Sequence, residues 1–285
     1  MTDIAIKIEH LNYVYSPGTA YEKHALKDIC LEIPHGEFVG IIGHTGSGKS
    51  TLIQHLNGLV KATDGALYYN GENIYQNGYD MRALRNQVGL VFQYPEYQLF
   101  EVDVLSDVCF GPKNQGLSKE ECEKQAREAL ELVGFPEKYY KQSPFELSGG
   151  QKRRVAIAGI LAMHPKVLVL DEPTAVLTPQ EVDELIATLK NLKEQGKTII
   201  VITHKLREVM ELADSITVIK QGKVVGNVLK KDTSERELAQ MMVGRDVVLT
   251  VNNARKQQVE SEIMYKAENL TTVNDYGKEV VSDMS

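Results

Sequence analysis

Nine consecutive residues, Gly43-His44-Thr45-Gly46-Ser47-Gly48-Lys49-Ser50-Thr51, have the types and spacing to hold a polyphosphate. They fit the pattern G-x-x-x-x-G-K-[ST]. Its glycines let backbone N–H groups close around a phosphate, and the positive end of a following helix adds to the field. Lys49 would reach the terminal phosphates, and the Ser50 hydroxyl is a hard oxygen ligand suited to Mg²⁺. The apolar run Phe38-Val39-Gly40-Ile41-Ile42 precedes the loop and Leu52-Ile53-Gln54-His55-Leu56 follows it, so the context reads as strand, loop, helix.

A second group of residues offers acid–base chemistry. Val167-Leu168-Val169-Leu170 reads as a strand buried on both faces, and it ends in Asp171-Glu172. Adjacent acids at the end of a buried strand are costly unless something compensates them. A Mg²⁺ ion at Asp171 would do so, leaving Glu172 to polarise a water. A similar run over 198–203 ends at His204, which reads either as a partner in that chemistry or as a hydrogen-bonded structural histidine. Gln93, after the strand at 88–92, is either a Mg²⁺ or water ligand or a solvated loop residue. Ser148-Gly149-Gly150-Gln151 precedes a helical run over 152–163 and reads either as a second anion site or as a plain Ser N-cap. Tyr15, upstream of the phosphate loop, either stacks on a nucleobase or packs in an edge strand.

These residues need a scaffold, and its elements are legible in outline. Residues 4–9 and 26–33 alternate as half-buried strands, with a turn near Ser16-Pro17-Gly18. Residues 118–133 form an amphipathic helix with a Ser118/Glu121 capping box, Ala126, Leu130 and Val133 on one face, and Gly134 as its stop. Thr178-Pro179-Gln180-Glu181 opens another capped helix, which runs to Gln195 before Gly196. Residues 216–228 read as a hairpin around Gln221-Gly222, and 233–243 as a short capped helix.

Composition narrows the functional classes. With 42% hydrophobic and 25% charged residues, the 285-residue chain is ordinary for a soluble globular protein of one large or two modest domains. Thirty-two Lys and Arg against 39 Asp and Glu leave a net charge of −7, so no global basic field invites nucleic acid. Cys30, Cys109 and Cys122 show no metal-ligand spacing in sequence and read as reduced thiols. The start Met1-Thr2-Asp3-Ile4 has no signal-peptide character, and no apolar run approaches the ~18 residues that span a bilayer. Any membrane role is expected through a partner.

Taken in order and spacing, residues 4–245 resemble the nucleotide-binding subunit of an ATP-binding-cassette transporter. The matching parts are the phosphate loop 43–51, Gln93 as the Q-loop, the signature Leu147-Ser148-Gly149-Gly150-Gln151, the Walker B strand 167–172 and the switch His204. The resemblance implies an α/β P-loop NTPase fold with a mixed-sheet core, an N-terminal antiparallel β subdomain, and a helical signature subdomain over about 94–163. It implies ATP and Mg²⁺ as cofactors, with Tyr15, residues 43–51 and residues 148–151 at the nucleotide. Ser50, Gln93 and Asp171 would hold the metal, and Glu172, His204 and Gln93 would carry the catalysis. Two cassettes would pair head to tail, so that the loop of one faces the signature of the other.

The first part is similar to the energy-coupling-factor ATPases. The likeness is carried by Ile41-Ile42-Gly43-His44-Thr45-Gly46, Phe92-Gln93-Tyr94-Pro95-Glu96-Tyr97-Gln98-Leu99-Phe100, Phe110-Gly111-Pro112 and Ser143-Pro144-Phe145-Glu146-Leu147-Ser148. That family powers vitamin and transition-metal-ion uptake. The expected partners are a second ATPase subunit, identical or different, a transmembrane scaffold and a substrate-binding membrane subunit, with the chain on the cytoplasmic face of the membrane. After Thr174 the likeness shifts. Ala175-Val176-Leu177-Thr178-Pro179, Thr203-His204-Lys205-Leu206 and Met241-Met242-Val243-Gly244-Arg245 look like the first cassette of a sugar or nucleoside importer. Thr178 stands where the usual D-loop has aspartate. Residues 246–285 resemble the truncated start of a second cassette, because Tyr265-Lys266-Ala267-Glu268-Asn269-Leu270 echoes Ile6-Lys7-Ile8-Glu9-His10-Leu11. Lacking partner elements, this extension is expected to pack poorly. The chain thus reads as a hybrid joined near 171–175, with a sugar or nucleoside importer ATPase as the alternative function. A soluble, non-transport cassette ATPase is a third reading, opposed by the absence of a basic patch and of a coiled-coil insertion.

Overall fold

The computed structural model describes residues 3–175, 177–244, 270–273 and 279–284. They belong to two compact units, Met1–Val247 and Val248–Ser285.

The first unit is built on two sheets. β1 (Ile4–Tyr15) and β2 (Lys23–Pro34) pair antiparallel; with β4 (Asp64–Tyr69) and β5 (Glu72–Asn73) they form a sheet of order β2-β1-β4-β5. β3 (Phe38–Ile42), β6 (Val88–Val91), β7 (Val167–Asp171), β8 (Thr198–Thr203), β9 (Ser215–Lys220) and β10 (Lys223–Leu229) form the second, of order β10-β9-β3-β8-β7-β6. Its strands are parallel except β10, which returns antiparallel from β9. The helices are α1 (Lys49–Leu56), α2 (Met81–Gln87), α3 (Val104–Asn114), α4 (Lys119–Leu132), α5 (Gly149–Leu161), α6 (Pro179–Glu194), α7 (Leu206–Leu212) and α8 (Glu235–Val243).

β3, β7 and β8 are buried at every position, which is why they are apolar without alternation. Successive residues nonetheless serve opposite faces. Ile42, Leu168, Leu170, Ile199 and Val201 join the core beneath α3 to α6. Ile41, Val167, Val169, Ile200 and Ile202 join a second core with Leu52 and Ile53 of α1 and Ile6 and Ile8 of β1. One sheet thus separates two cores, with the antiparallel subdomain on one side and the helical subdomain on the other. β7 and β8 pair in unbroken register from Val167–Thr198 to Asp171–Ile202.

Both predicted capping boxes are present: Ser118/Glu121 opens α4, and Thr178/Glu181, with Pro179 at the first position, opens α6. The first strands are longer than their alternation predicts. Tyr13 and Tyr15 belong to β1, not to the turn, because bulges near His10 and Leu11 break the period-two pattern while pairing continues. The C-terminal helix is capped by Ser234, one residue past the expected Thr233. β4, β5, α2 and α3 had no clear sequence signal.

In the second unit β11 (Leu270–Val273) pairs antiparallel with β12 (Glu279–Met284). Of the expected second-cassette strand at 265–270, only Leu270 is described; 265–269 lie outside the described residues, as do Val176 and Arg245. Among the described residues no helix is long and apolar enough to cross a membrane.

Candidate functional site

The phosphate loop leaves β3 and enters α1 through Gly48, whose φ of 108° suits glycine and whose α-hydrogen faces the Ala25 carbonyl, where a Cβ would lie at 2.7 Å. No side chain caps α1, so the first-turn N–H groups of Lys49, Ser50 and Thr51 face the loop, as an anion site requires. The Lys49 ammonium donates to the carbonyls of Gly43 (2.7 Å) and His44 (3.0 Å). Burial lowers its pKa, while the nearby Glu172 and Asp171 charges oppose that shift.

Around this loop lies a cleft of about 420 Å³, lined by Tyr15, Thr45, Lys49, Ser50, Gln93 and Glu172 among others. The Tyr15 hydroxyl lies 3.1 Å from that of Thr51. Its ring meets Tyr13 edge-on at 4.8 Å, and Tyr13 in turn meets buried His55 of α1 at 4.9 Å. Tyr15 is thus backed by Tyr13 while it stays 38% exposed. It ends a paired strand and also lines the cleft.

Asp171 ends β7 and is 6% exposed. Burial and the neighbouring Glu172 charge push its pKa up to about 6, against a hydrogen bond from Ser50 and the charge of Lys49. Its Oδ1 is buried without a hydrogen-bond partner among the described residues. A hard cation would satisfy this atom, and Ser50 and Asp171 together offer the oxygen donors Mg²⁺ prefers. The residues fit the metal.

Glu172 has φ +46°, a left-handed conformation that is strained for a side chain of this kind, held by its N–H bond to the Ile202 carbonyl at 2.8 Å. Its carboxylate accepts from His204 Nδ1 at 2.9 and 3.0 Å. That bond places the proton on Nδ1 and leaves Nε2 of the largely exposed ring toward solvent. His204 is thus hydrogen-bonded to the carboxylate that directly follows β7.

Ser148, Gly149, Gly150 and Gln151 stand apart from the cleft. They begin α5, where the Ser148 hydroxyl accepts from the Gln151 N–H at 3.2 Å and the Gln151 side chain accepts from the Ser148 N–H at 2.9 Å. Both side chains close a capping box, so the N–H groups of Gly149 and Gly150 are what this helix start offers an anion. At Gly150 an added Cβ would lie 1.8 Å from Glu181 Oε1, so any larger residue must displace the end of that side chain.

Two groups had escaped the sequence reading. Lys23, His24, Lys27 and Gln221 also line the cleft. Lys23 pairs with Tyr15 across the β1–β2 hairpin, so the turn at 16–18 carried the necessary signal once the register is known. Arg153 of α5 is 4% exposed and donates to the carbonyls of Gln93 (2.6 Å), Ala175 (2.8 Å) and Pro173. It ties the start of the signature helix to the Q-loop and to the segment after Glu172. Basic residues following a glycine pair gave no sign of burial.

Residues 26–175 match the family profile described as ABC transporter. The chain is 53% identical over 220 residues to the energy-coupling factor transporter ATP-binding protein EcfA2 of Caldanaerobacter subterraneus subsp. tengcongensis, covering 77% of each chain. It is 52% identical over 224 residues to the EcfA2 protein of Clostridium perfringens, covering 78% of this chain and 79% of that one. Among solved structures it resembles cbiO1 of Clostridium perfringens, described as part of the ABC transporter complex cbiONQ. The TM-score there is 0.74 at 40% identity, over 85% of this chain and 93% of that one. It also resembles the dimeric post-hydrolysis state of the cassette MJ0796 bound to ADP and Pi, with a TM-score of 0.72 at 31% identity, over 79% and 98% of the two chains.

Proposed function

Because the chain belongs to the ABC transporter family, as an ATPase of the energy-coupling-factor type, we propose that it hydrolyses Mg²⁺-ATP as one of two facing cassettes that drive a vitamin or transition-metal-ion importer from the cytoplasmic face of the membrane. The observation that carries this is the single cleft shared by Tyr15, Lys49, Ser50, Gln93 and Glu172, with the signature Ser148-Gly149-Gly150 outside it. One chain supplies a complete phosphate cradle and a complete second anion site, but not in the same place. A second cassette brings them together.

In this reading Tyr15 stacks on the base, and Lys49 turns from the loop carbonyls to the phosphates. Ser50, Asp171 and Gln93 would hold Mg²⁺, which would neutralise developing phosphate charge. Glu172 orients and deprotonates the attacking water. His204 fixes the carboxylate through Nδ1–H and has Nε2 free to meet the γ-phosphate. The exposed aromatic residues Tyr94, Tyr97, Phe100 and Phe110, with Phe100 edge-on to Phe110 at 4.8 Å, form an apolar strip next to Gln93. That strip suits a membrane scaffold whose movement follows the Q-loop. The hybrid origin belongs to the same proposal, and single-molecule reads of the gene across residues 160–190 test it.

The test of the chemistry is Glu172→Gln. It should keep ATP binding and stabilise the ATP-bound pair, while turnover falls by on the order of 10²-fold or more. Unchanged turnover would remove Glu172 from the role of base.

A further inference from the structure

Away from the nucleotide cleft, on the outer face of the β1–β2 hairpin, three chemically different ligands converge. Nδ1 of His10 lies 2.7 Å from Oδ1 of Asp28 and 3.7 Å from Sγ of Cys30. All three ligand atoms lie within 4.8 Å of one another, and all three residues are exposed. We infer that His10, Asp28 and Cys30 form a surface site for a borderline divalent d-block cation of the Zn²⁺ class, separate from the Mg²⁺-nucleotide site.

The donor set points to that class. One thiolate, one imidazole and one carboxylate suit Zn²⁺ or Co²⁺, whereas Mg²⁺ and Ca²⁺ take oxygen ligands. Tetrahedral Zn²⁺ with ordinary bond lengths separates its nitrogen and sulfur ligands by about 3.6 Å, and its nitrogen and oxygen ligands by about 3.3 Å. The His10–Cys30 separation of 3.7 Å already matches, while the sulfur and the carboxylate oxygen, within 4.8 Å, close toward about 3.6 Å as the ion binds. The carboxylate must swing out by about 0.6 Å, a small rotation of an exposed side chain, as the ion replaces the proton between His10 and Asp28. Solvent supplies the fourth ligand.

The backbone holds these ligands independently of any ion. His10 and Asp28 both have positive φ, 49° and 54°, inside paired strands, where the bulges turn them onto one face. The His10 N–H donates to Cys30 Sγ, 3.3 Å away, which fixes the sulfur beside the imidazole. Asn12 holds both ligand segments, accepting from the Asp28 N–H at 2.9 Å and donating to the His10 carbonyl at 2.8 Å. Such outer contacts orient ligands before an ion arrives. The adjoining Glu9 is engaged by Lys7 at 2.7 Å and adds negative potential without needing to bind.

The test is a titration of the full chain with CoCl₂, free of nucleotide and with a non-thiol reductant. Absorbance is read at the thiolate-to-cobalt charge-transfer band, and Zn²⁺ is added in competition. Co²⁺ at Ser50 and Asp171 has only oxygen ligands and gives no such band. The expected result is a saturable band that Zn²⁺ abolishes, that Cys30→Ser removes, and that Cys109→Ser and Cys122→Ser leave intact. Asp28→Asn and His10→Asn, both tolerant of left-handed backbone, should weaken Co²⁺ affinity by on the order of tenfold or more. The inference is overturned if no band forms at millimolar Co²⁺, or if the band survives Cys30→Ser.

Discussion

Replacing Asp171, the acid proposed to hold Mg²⁺, should make the metal-free protein more stable while ending its response to Mg²⁺-ATP. Asp171 is 6% exposed, and its pKa stands at about 6 against an ordinary 3.8. The folded state therefore holds this proton more tightly than the unfolded chain does. Below pH 3.8 both states are protonated and nothing is lost. Stability falls as pH rises from there, and above about 6 the full penalty of an ionised, buried carboxylate is present. At about 1.4 kcal/mol per pH unit, the interval comes to about 3 kcal/mol. Asp171→Asn removes the charge but leaves one buried amide group imperfectly paired, at about 1 kcal/mol, for a net gain of about 2 kcal/mol at pH 8. For a cassette of this size that is a rise in Tm of about 4–8 °C. Calorimetry in EDTA from pH 4 to 8 should show the variant above the parent at pH 8, with the gap closing toward pH 4. Adding Mg²⁺-ATP should raise the Tm of the parent alone. A variant less stable than its parent at pH 8, or a gap that does not narrow in acid, refutes the burial argument.

Three further outcomes follow from other contacts. Burial lowers the pKa of His55, whose Nδ1 bonds to the Thr51 carbonyl at 2.7 Å while Nε2 is buried and unpartnered among the described residues. Its contribution is full above pH ~6.5 and is lost as pH falls below that, so His55→Leu should flatten the acid side of the stability–pH curve in urea melts. Gly150→Ala should displace Glu181 from its bonds to Thr178 and cost about 1 kcal/mol, and the loss should shrink when combined with Glu181→Ala in a double-mutant cycle. Arg153→Met should leave the carbonyls of Gln93, Pro173 and Ala175 without their donor, lowering stability by about 2–4 kcal/mol in chemical denaturation.

The parts of the site legible in the sequence are those whose chemistry is contiguous. Residues 43–51 form a phosphate loop because glycines at set spacing follow a strand and precede a helix, and all of that lies within one short stretch. Asp171 and Glu172 were legible because charged residues after an unbroken apolar run demand an explanation. The caps at Ser118 and Thr178 were legible because a capping box spans four residues, whereas the Ser148/Gln151 box was seen only in the structure. Tyr15 was half-legible: its type was clear, but whether it reached the cleft depended on the strand register and on the support from Tyr13 and His55. Lys23, His24, Lys27 and Gln221 were not legible, since nothing local marks a strand or turn residue as lining a cleft.

By itself, then, the sequence determined the local backbone: loops, caps, buried strands and the residue types at their ends. Short-range sterics and hydrogen bonds decide these within a few positions. The tertiary structure alone decided which groups meet. β3 lies between β8 and β9 and carries its loop beside Glu172, which is bonded to His204; the signature at 148–151 is set apart; and Arg153 joins three segments. Those proximities come from pairing strands far apart in the chain and filling the two cores between them. Neither is written in any one stretch, because packing depends on the shapes of all the pieces at once.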